Sequence, residues 1–374
     1  MPDPLDGLNA PQRSAVTHPG GPLIVSAGPG SGKTHVLAQR VAWLIEQGVR
    51  AEEILALTLS NAAADRMRCR VEALVERPYD ELWVLTFSTF CARLLRDEAL
   101  EAGLDPFFAP VTRADRIALL LERVDDLPLS HHEIRGNPAP LVASFVARID
   151  RLKENLVSAD DLRGHAEESL GAAGADLSAR TGAERELELA AVYRRHDRLL
   201  AERGALDAGD LVLRAERLLR ERPGARERAA ARFHHVLVDD FQDVNRAQTA
   251  LLGRLWGADA NVTVAGDDDQ AVRRSGAGRL ADFAAEHPDA RRVGLSRSQR
   301  CGQRILDGAA AVIAGDRSPR SQPKLRGRGG AGAGELRFWQ CASERAQAQA
   351  VAREAERLIA VEGVAPESLS LIHI

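Results

Sequence analysis

Long apolar runs are missing from this sequence. No stretch of about 18 apolar residues occurs, which excludes a membrane-spanning helix. Cysteine is scarce and scattered, at Cys69, Cys91, Cys301 and Cys341. No CxxC pair exists, which argues against a zinc site and against a disulfide framework. Aromatic residues make up only 4%, so few side chains are available to stack on nucleobases. Positive charge is not in excess either: the net charge is −4. Nucleic-acid binding therefore cannot be argued from global charge, and a local basic groove would have to supply it. Lysine is almost absent, with Lys33, Lys153 and Lys324 the only three among many arginines. The N-terminus, MPDPLDGLNAPQ, lacks the basic-then-apolar build of a signal peptide, which makes the cytoplasm the default compartment.

What is present is ordinary globular material: 374 residues, 45% hydrophobic and 28% charged, enough for two or three compact units. Short aliphatic runs bounded by turn signals predict buried strands at Leu23–Ser26, Ile54–Thr58, Trp83–Thr86, Val236–Asp239 and Val262–Ala265. The first three alternate with helical stretches, Thr34–Gln47, Ala62–Val75 and Thr89–Glu101. That alternation predicts an α/β fold with a doubly wound parallel sheet. Between residues 106 and 205 the pattern changes to amphipathic helices (Ala114–Val124, Pro140–Asn155, Glu184–Arg203) with no clear strand, which predicts an all-helical insertion. The sheet resumes near 236, after a helix at Leu211–Arg222. The expected organisation is thus a first domain from 1–105 and 206–294, an insertion at 106–205, and a second, incomplete unit at 295–374. In that last unit Arg317–Gly334 reads as a solvated loop, Glu335–Gln340 as a strand, Glu344–Val361 as a helix and Ser368–Ile374 as the start of another strand. The chain stops within an apolar run, and the expectation is a fragment.

Residues 23–34 read LIVSAGPGSGKT: a strand, a glycine-rich turn, then Lys-Thr opening a helix. That is the context a phosphate-binding P-loop requires. Gly28, Gly30 and Gly32 permit backbone conformations that turn successive N–H groups toward one point, a nest for a polyphosphate. The helix beginning there adds partial positive charge. Ala27, Pro29 and Ser31 complete the loop, Lys33 would neutralise β/γ oxygens, and Thr34 would offer its hydroxyl to Mg²⁺. The expected ligand is Mg²⁺–ATP. Residues 235–243, HVLVDDFQD, place two carboxylates at the C-terminal tip of a buried strand, the edge where doubly wound folds carry their chemistry. Asp239 would hold the metal and Asp240 would act as general base on the attacking water.

The ordered series of motifs resembles the N-terminal part of the UvrD/Rep-type superfamily 1A DNA helicases, and the likeness covers nearly the whole chain. LNAPQ at 8–12 resembles the Q motif, which implies that Gln12 bonds the adenine edge. Arg40 matches an arginine that packs on the base in that family. LALTLSNAAADRM (55–67) resembles motif Ia and TFSTFCARLLR (86–96) motif Ib; both contact single-stranded DNA there. The implied DNA-binding residues are Thr58, Asn61, Thr86 and Phe87. Phe87 and Phe90 are the candidates for stacking, although apolar aromatics at a strand-to-helix junction are core more often than not. LDAGDL (206–211) resembles the LDFDDL element, VDDFQDVNRAQ (238–248) motif II, VAGDDDQAVRR (264–274) motif III and LSRSQRCGQRIL (295–306) motif IV. The resemblance implies that Gln270 senses and Arg300 reaches the γ-phosphate, that the fold is RecA-like, and that the activity is 3′-to-5′ ATP-driven movement on single-stranded or duplex DNA. A partner nuclease or second motor subunit is also compatible with it.

Departures from the family pattern qualify that expectation. Asp240 replaces the Glu of motif II, a side chain shorter by roughly 1.5 Å. Ala62 and Ser88 stand where Ia has Lys and Ib has His. Arg273 and Ser275 replace motif III aromatics, and Ser298-Gln299-Arg300 replaces Asn-Tyr-Arg of motif IV. Motifs V and VI are not in the 374 residues. The resemblance implies that without motif VI's arginine finger the chain binds nucleotide better than it hydrolyses it. The competing reading is a degenerate subunit that binds ATP and DNA without productive turnover.

Overall fold

The computed structural model describes residues 3–76, 78–132, 134, 136–256, 261–271, 277–314, 325–327 and 334–371. The chain enters through α1 (Ala10–Val16), β1 (Leu23–Ala27), α2 (Lys33–Glu46), β2 (Ile54–Thr58), α3 (Asn61–Glu72) and β3 (Trp83–Thr86). The helix expected at Thr89–Glu101 is two helices, α4 (Phe87–Asp97) and α5 (Ala99–Ala102), broken at Glu98. Then come β4 (Ala109–Pro110), α6 (Arg113–Leu121), α7 (Ala139–Glu154), α8 (Ala159–Ala172), α9 (Leu177–Glu202) and β5 (Ala205–Leu206). The chain continues through α10 (Ala208–Glu221), α11 (Pro223–Arg232), β6 (His235–Val238), α12 (Arg246–Leu255), β7 (Asn261–Gly266), α13 (Leu280–Glu286) and β8 (Arg291–Leu295). It ends with α14 (Gln303–Ile313) and α15 (Glu344–Ala360).

Six strands form one parallel sheet in the order β3-β2-β6-β7-β1-β8. β1, β2, β3, β6 and β7 are apolar on both faces because helices cover both sides, and the period-2 alternation sorts their side chains into two layers. Leu55, Leu57, Val236, Val238 and Val264 face α4, α10 and α12, with Phe90, Leu218 and Leu251. Ile54, Ala56, Leu237, Leu23 and Val25 face α2 and α3, with Leu37, Val41 and Met67. β8 is the strand absent from the expectation. Only Val293 and Leu295 of Arg-Arg-Val-Gly-Leu are buried, because it is an outer strand with one face to solvent.

Residues between β4 and β5 gather a separate apolar core around Val142, Phe145, Val146, Leu189 and Leu200. Among the described residues this stretch is helices and loops, with strands only at its stem, where Ala109–Pro110 pairs in parallel with Ala205–Leu206. That two-residue ladder is too short to leave a sequence pattern. Beneath it lies a buried ionic cluster. Lys153 Nζ reaches Asp207 (2.9 Å), Asp210 (2.7 Å) and Asp197 (3.1 Å), while Arg116 reaches Asp150 (2.6 Å) and Asp207 (3.2 Å). Asp207 and Asp210 also form the capping box of α10, which gives the LDAGDL segment a structural reason.

The C-terminal expectations fare unevenly. The helix at 344–360 is present, but Glu335–Gln340 is irregular rather than a strand, and Pro366–Ser368 is a 3₁₀ turn. Among the described residues no strand pairs with either segment. Residues 372–374, most of the Arg317–Gly334 loop, and Arg273 and Ser275 lie outside the described residues.

Candidate nucleotide site and the adjoining cleft

β1 ends at Ala27 and α2 begins at Lys33, so the connecting loop turns back over the strand end. Gly30 (φ 71°) and Gly32 (φ 94°) are left-handed, a conformation that disfavours any Cβ. Gly32 caps α2 without a side chain, leaving the first-turn N–H groups open to a ligand. Ser31 Oγ donates to Gly28 O (2.6 Å), which tightens the loop. Lys33 Nζ donates to Ala27 O (3.0 Å), curled over the loop it would share with phosphate.

Thr34 Oγ1 donates to Asp239 Oδ2 at 2.5 Å, joining two segments 205 residues apart. Asp239 follows β6, two strands from β1 in the sheet, and is 2% exposed. Burial first, then the neighbouring Asp240, pushes its carboxyl up to about 6, against the pull of the Thr34 hydroxyl and Lys33. A buried carboxylate short of positive charge, touching a hydroxyl at a helix start, suits a magnesium ion arriving with phosphates. Among the described residues no three His, Cys, Asp or Glu side chains gather into a metal cluster. Thr34 and Asp239 could hold it, and it would supply charge to β/γ phosphate oxygens.

Asp240 adopts φ 49°, ψ 48°, one of two non-glycine residues in the left-handed region among those described. Its N–H donates to Asp239 Oδ1 (3.1 Å) at the strand tip. Gln242, unassigned from sequence, cross-links this segment to the next. Its Oε1 accepts from Asp267 N (3.0 Å), and its Nε2 donates to Asp243 (3.1 Å) and, at 3.5 Å, to Asp240. Asp267 in turn accepts from Gln270 Nε2, which sets Gln270 beside the acidic pair's strand, half-buried. Burial raises the Asp267 carboxyl above its ordinary range.

Two nucleobase expectations meet a different placement. Gln12 is 5% exposed; its amide donates to Ser31 O (3.1 Å) and accepts from Asn9 N (3.1 Å), tying α1 to the loop. Arg40 is 1% exposed, with its guanidinium on Val16 O (2.9 Å), His18 O (2.9 Å) and Thr263 Oγ1 (3.1 Å). Arg40 therefore has no face for a base. It lies about two turns along α2, on the side packed against α1 and β7, where it neutralises the carbonyl end of α1. Arg300 is exposed and follows Ser298, which is fully buried against the loop.

A cleft of about 380 Å³ opens between the strand tips and the helical segment. Thr58, Thr86, Ser88, Arg113, Asn245 and Gln248 line it. Thr58 and Thr86 spend their hydroxyls locally, on Ser60 O and on the start of α4. Asn61 is exposed at the first turn of α3. Phe87 touches the cleft wall but is 2% exposed and belongs to the core with Phe90. A stacking role for Phe87 is thereby corrected, since the first turn of α4 points its ring under the sheet.

A P-loop strand, one strand between, then an acid-tipped strand, all parallel, define a P-loop nucleotide-binding protein of RecA-like fold. The chain belongs to the UvrD/REP helicase N-terminal domain family, which matches residues 8–276. It is 37% identical over 369 residues to the ATP-dependent DNA helicase UvrD1 of Mycobacterium tuberculosis (strain CDC 1551 / Oshkosh), covering 95% of this chain and 45% of the relative. It is 29% identical over 356 residues to the ATP-dependent DNA helicase PcrA of Staphylococcus epidermidis (strain ATCC 12228 / FDA PCI 1200), covering 94% and 45%. The chain thus spans about 45% of the length of these relatives. No helix among the described residues is long and apolar enough to cross a membrane.

Proposed function

We propose that this chain is the ATP-binding portion of an ATP-dependent DNA helicase or translocase. Residues 1–105 with 206–294 form its first RecA-like domain, 106–205 an inserted subdomain, and 295–374 the beginning of a second RecA-like domain. The observation that carries the reading is the Thr34–Asp239 hydrogen bond, which sets the loop's metal ligand against the acid of a distant strand. Open amides at the start of α2 and Lys33 bind the β/γ phosphates of Mg²⁺–ATP. Asp240 takes the proton of the attacking water, Gln270 reports γ-phosphate occupancy toward the cleft, and Arg300 meets the γ-phosphate charge. Single-stranded DNA crosses the cleft past Asn61, Thr58 and Thr86, with Arg113 on a phosphate, and movement runs 3′ to 5′ as in the family it resembles.

The buried Phe87 and the altered motif positions favour a second reading, an ATP- and DNA-binding subunit that hydrolyses little. Binding of labelled oligonucleotides and DNA-stimulated ATP hydrolysis separate the two. A motor shows hydrolysis that rises with DNA, and DNA affinity that drops steeply between 50 and 200 mM salt, on the order of tenfold or more, with little sequence preference. Salt-insensitive or sequence-selective binding would remove DNA from the cleft.

A further inference from the structure

Three glycines of the site are packed against protein as well as open to a ligand. A Cβ on Gly30 would lie 2.5 Å from Arg300 Cβ and 2.7 Å from Ser298 Oγ, and one on Gly28 would lie 2.3 Å from Leu325 Cδ1. On Gly32 it would meet Gln12 at 3.0 Å. The loop is therefore gripped from outside by the segment that follows β8. Gln299 N donates to Gly30 O (2.8 Å). Ser298 is the hub of that grip: at 0% exposure its Oγ donates to Pro29 O (2.9 Å) and accepts from Cys301 N (3.1 Å) and, more weakly, Arg300 N (3.4 Å). Arg326 backs the same segment, exchanging Arg326 N to Ser296 O (2.8 Å) and Ser298 N to Arg326 O (2.9 Å).

We infer that Ser298 is a positioning residue, whose hydroxyl clips the segment bearing Arg300 onto the phosphate-binding loop and so sets Arg300 for the γ-phosphate. The inference rests on the nucleotide reading above. Ser298 itself touches no phosphate: its three partners are backbone groups, and its role passes through Arg300. Removing the hydroxyl takes their partner from Pro29 O and two amides in a part-buried turn, so the turn at 298–301 loosens. Lys33 and the open α2 amides, which hold the phosphates shared by ADP and ATP, make no bond to Ser298. Loss of the hydroxyl is therefore felt mainly through Arg300, at the third phosphate.

The test is the affinity of the 374-residue chain for Mg²⁺–ADP and for Mg²⁺ with the β,γ-imido ATP analogue, in wild type, Ser298→Ala, Ser298→Thr, Arg300→Ala and the Ser298→Ala/Arg300→Ala double variant. Ser298→Ala is expected to reduce the preference for the analogue over ADP about tenfold while ADP affinity moves less than about twofold. Arg300→Ala does the same, the double variant adds little, and Ser298→Thr, which keeps the hydroxyl, recovers most of the preference. Equal loss for both nucleotides, or additive losses in the double variant, would overturn the inference. Amide hydrogen exchange without nucleotide reads the clip by itself: Arg300 and Cys301 amides are protected in wild type and lose protection in Ser298→Ala. Unchanged protection overturns the clip. Wild type that binds neither nucleotide, with the exchange result as expected, overturns the nucleotide reading and leaves the clip a packing device.

Discussion

Replacing Asp240 by Asn separates stability from chemistry at one residue. Asp239 sits 2% exposed with its carboxyl pushed up to about 6 from 3.8, burial being the larger cause and Asp240 the second. A shift of about two units corresponds to roughly 3 kcal/mol of disfavoured ionisation. The sign follows from where the proton is held. The folded state binds it more tightly than the unfolded chain, so the penalty is full above pH 6 and vanishes below 3.8. Asn at 240 removes the like charge but not the burial, and Asn tolerates the left-handed φ of 49° as Asp does. Without Mg²⁺ or nucleotide, Asp240→Asn is therefore expected to raise unfolding free energy at pH 7 by about 1 kcal/mol, a gain that fades toward pH 4. Single-turnover ATP hydrolysis should fall by about 10²–10⁴-fold, the usual contribution of a general base. Asp240→Glu extends the carboxylate by roughly 1.5 Å and leaves the chemical step equal or faster. It loses about 0.5–1 kcal/mol of stability, because a longer side chain suits the left-handed region less. Urea unfolding at several pH values and quench-flow hydrolysis read both effects. Turnover that survives Asp240→Asn would falsify the assignment of the base, and a destabilised Asn variant would refute the electrostatic account of the acidic pair.

Two further outcomes follow from buried charge. Lys153→Met leaves Asp207 and Asp210 facing each other without their ammonium and is expected to cost about 3–5 kcal/mol in urea unfolding; a loss below about 1 kcal/mol would show that the cluster is hydrated. His235, held down to about 4 by burial and by Arg40, is neutral when folded, whereas the unfolded chain takes up its proton near 6.5. Stability is therefore complete above pH 6.5 and declines as pH falls toward 4, and His235→Leu should flatten that decline in the urea midpoint. An unchanged slope would place the acid sensitivity elsewhere; His18, lowered for similar reasons, is the next residue to replace.

Much of this architecture was legible because it is written locally. Buried parallel strands are continuous aliphatic runs, so Ile54–Thr58 and Trp83–Thr86 fall where the pattern places them. The P-loop is equally local, since its glycines, Lys33 and Thr34 act within a dozen residues. β8 was not legible, because an edge strand of Arg-Arg-Val-Gly-Leu shows neither a run nor a full alternation. Contacts across long sequence separations were invisible too. Gln242 bridging to Asp267, Ser298 on Pro29 and Arg40 on the end of α1 are products of the sheet order, which no short pattern encodes. The burial of Arg40 and Phe87 was equally hidden, because a motif position names a residue type but not which way its helix faces.

The central claim is that residues 27–34 and Asp239 bind Mg²⁺–nucleotide, and titration of the chain with a fluorescent ATP analogue tests it most directly. The account predicts saturable, Mg²⁺-dependent binding by wild type. Lys33→Ala should weaken it by at least about a hundredfold, since the only other lysine among the described residues, Lys153, is locked in the ionic cluster beneath the cleft. Undiminished affinity in Lys33→Ala, or binding indifferent to Mg²⁺, would contradict it.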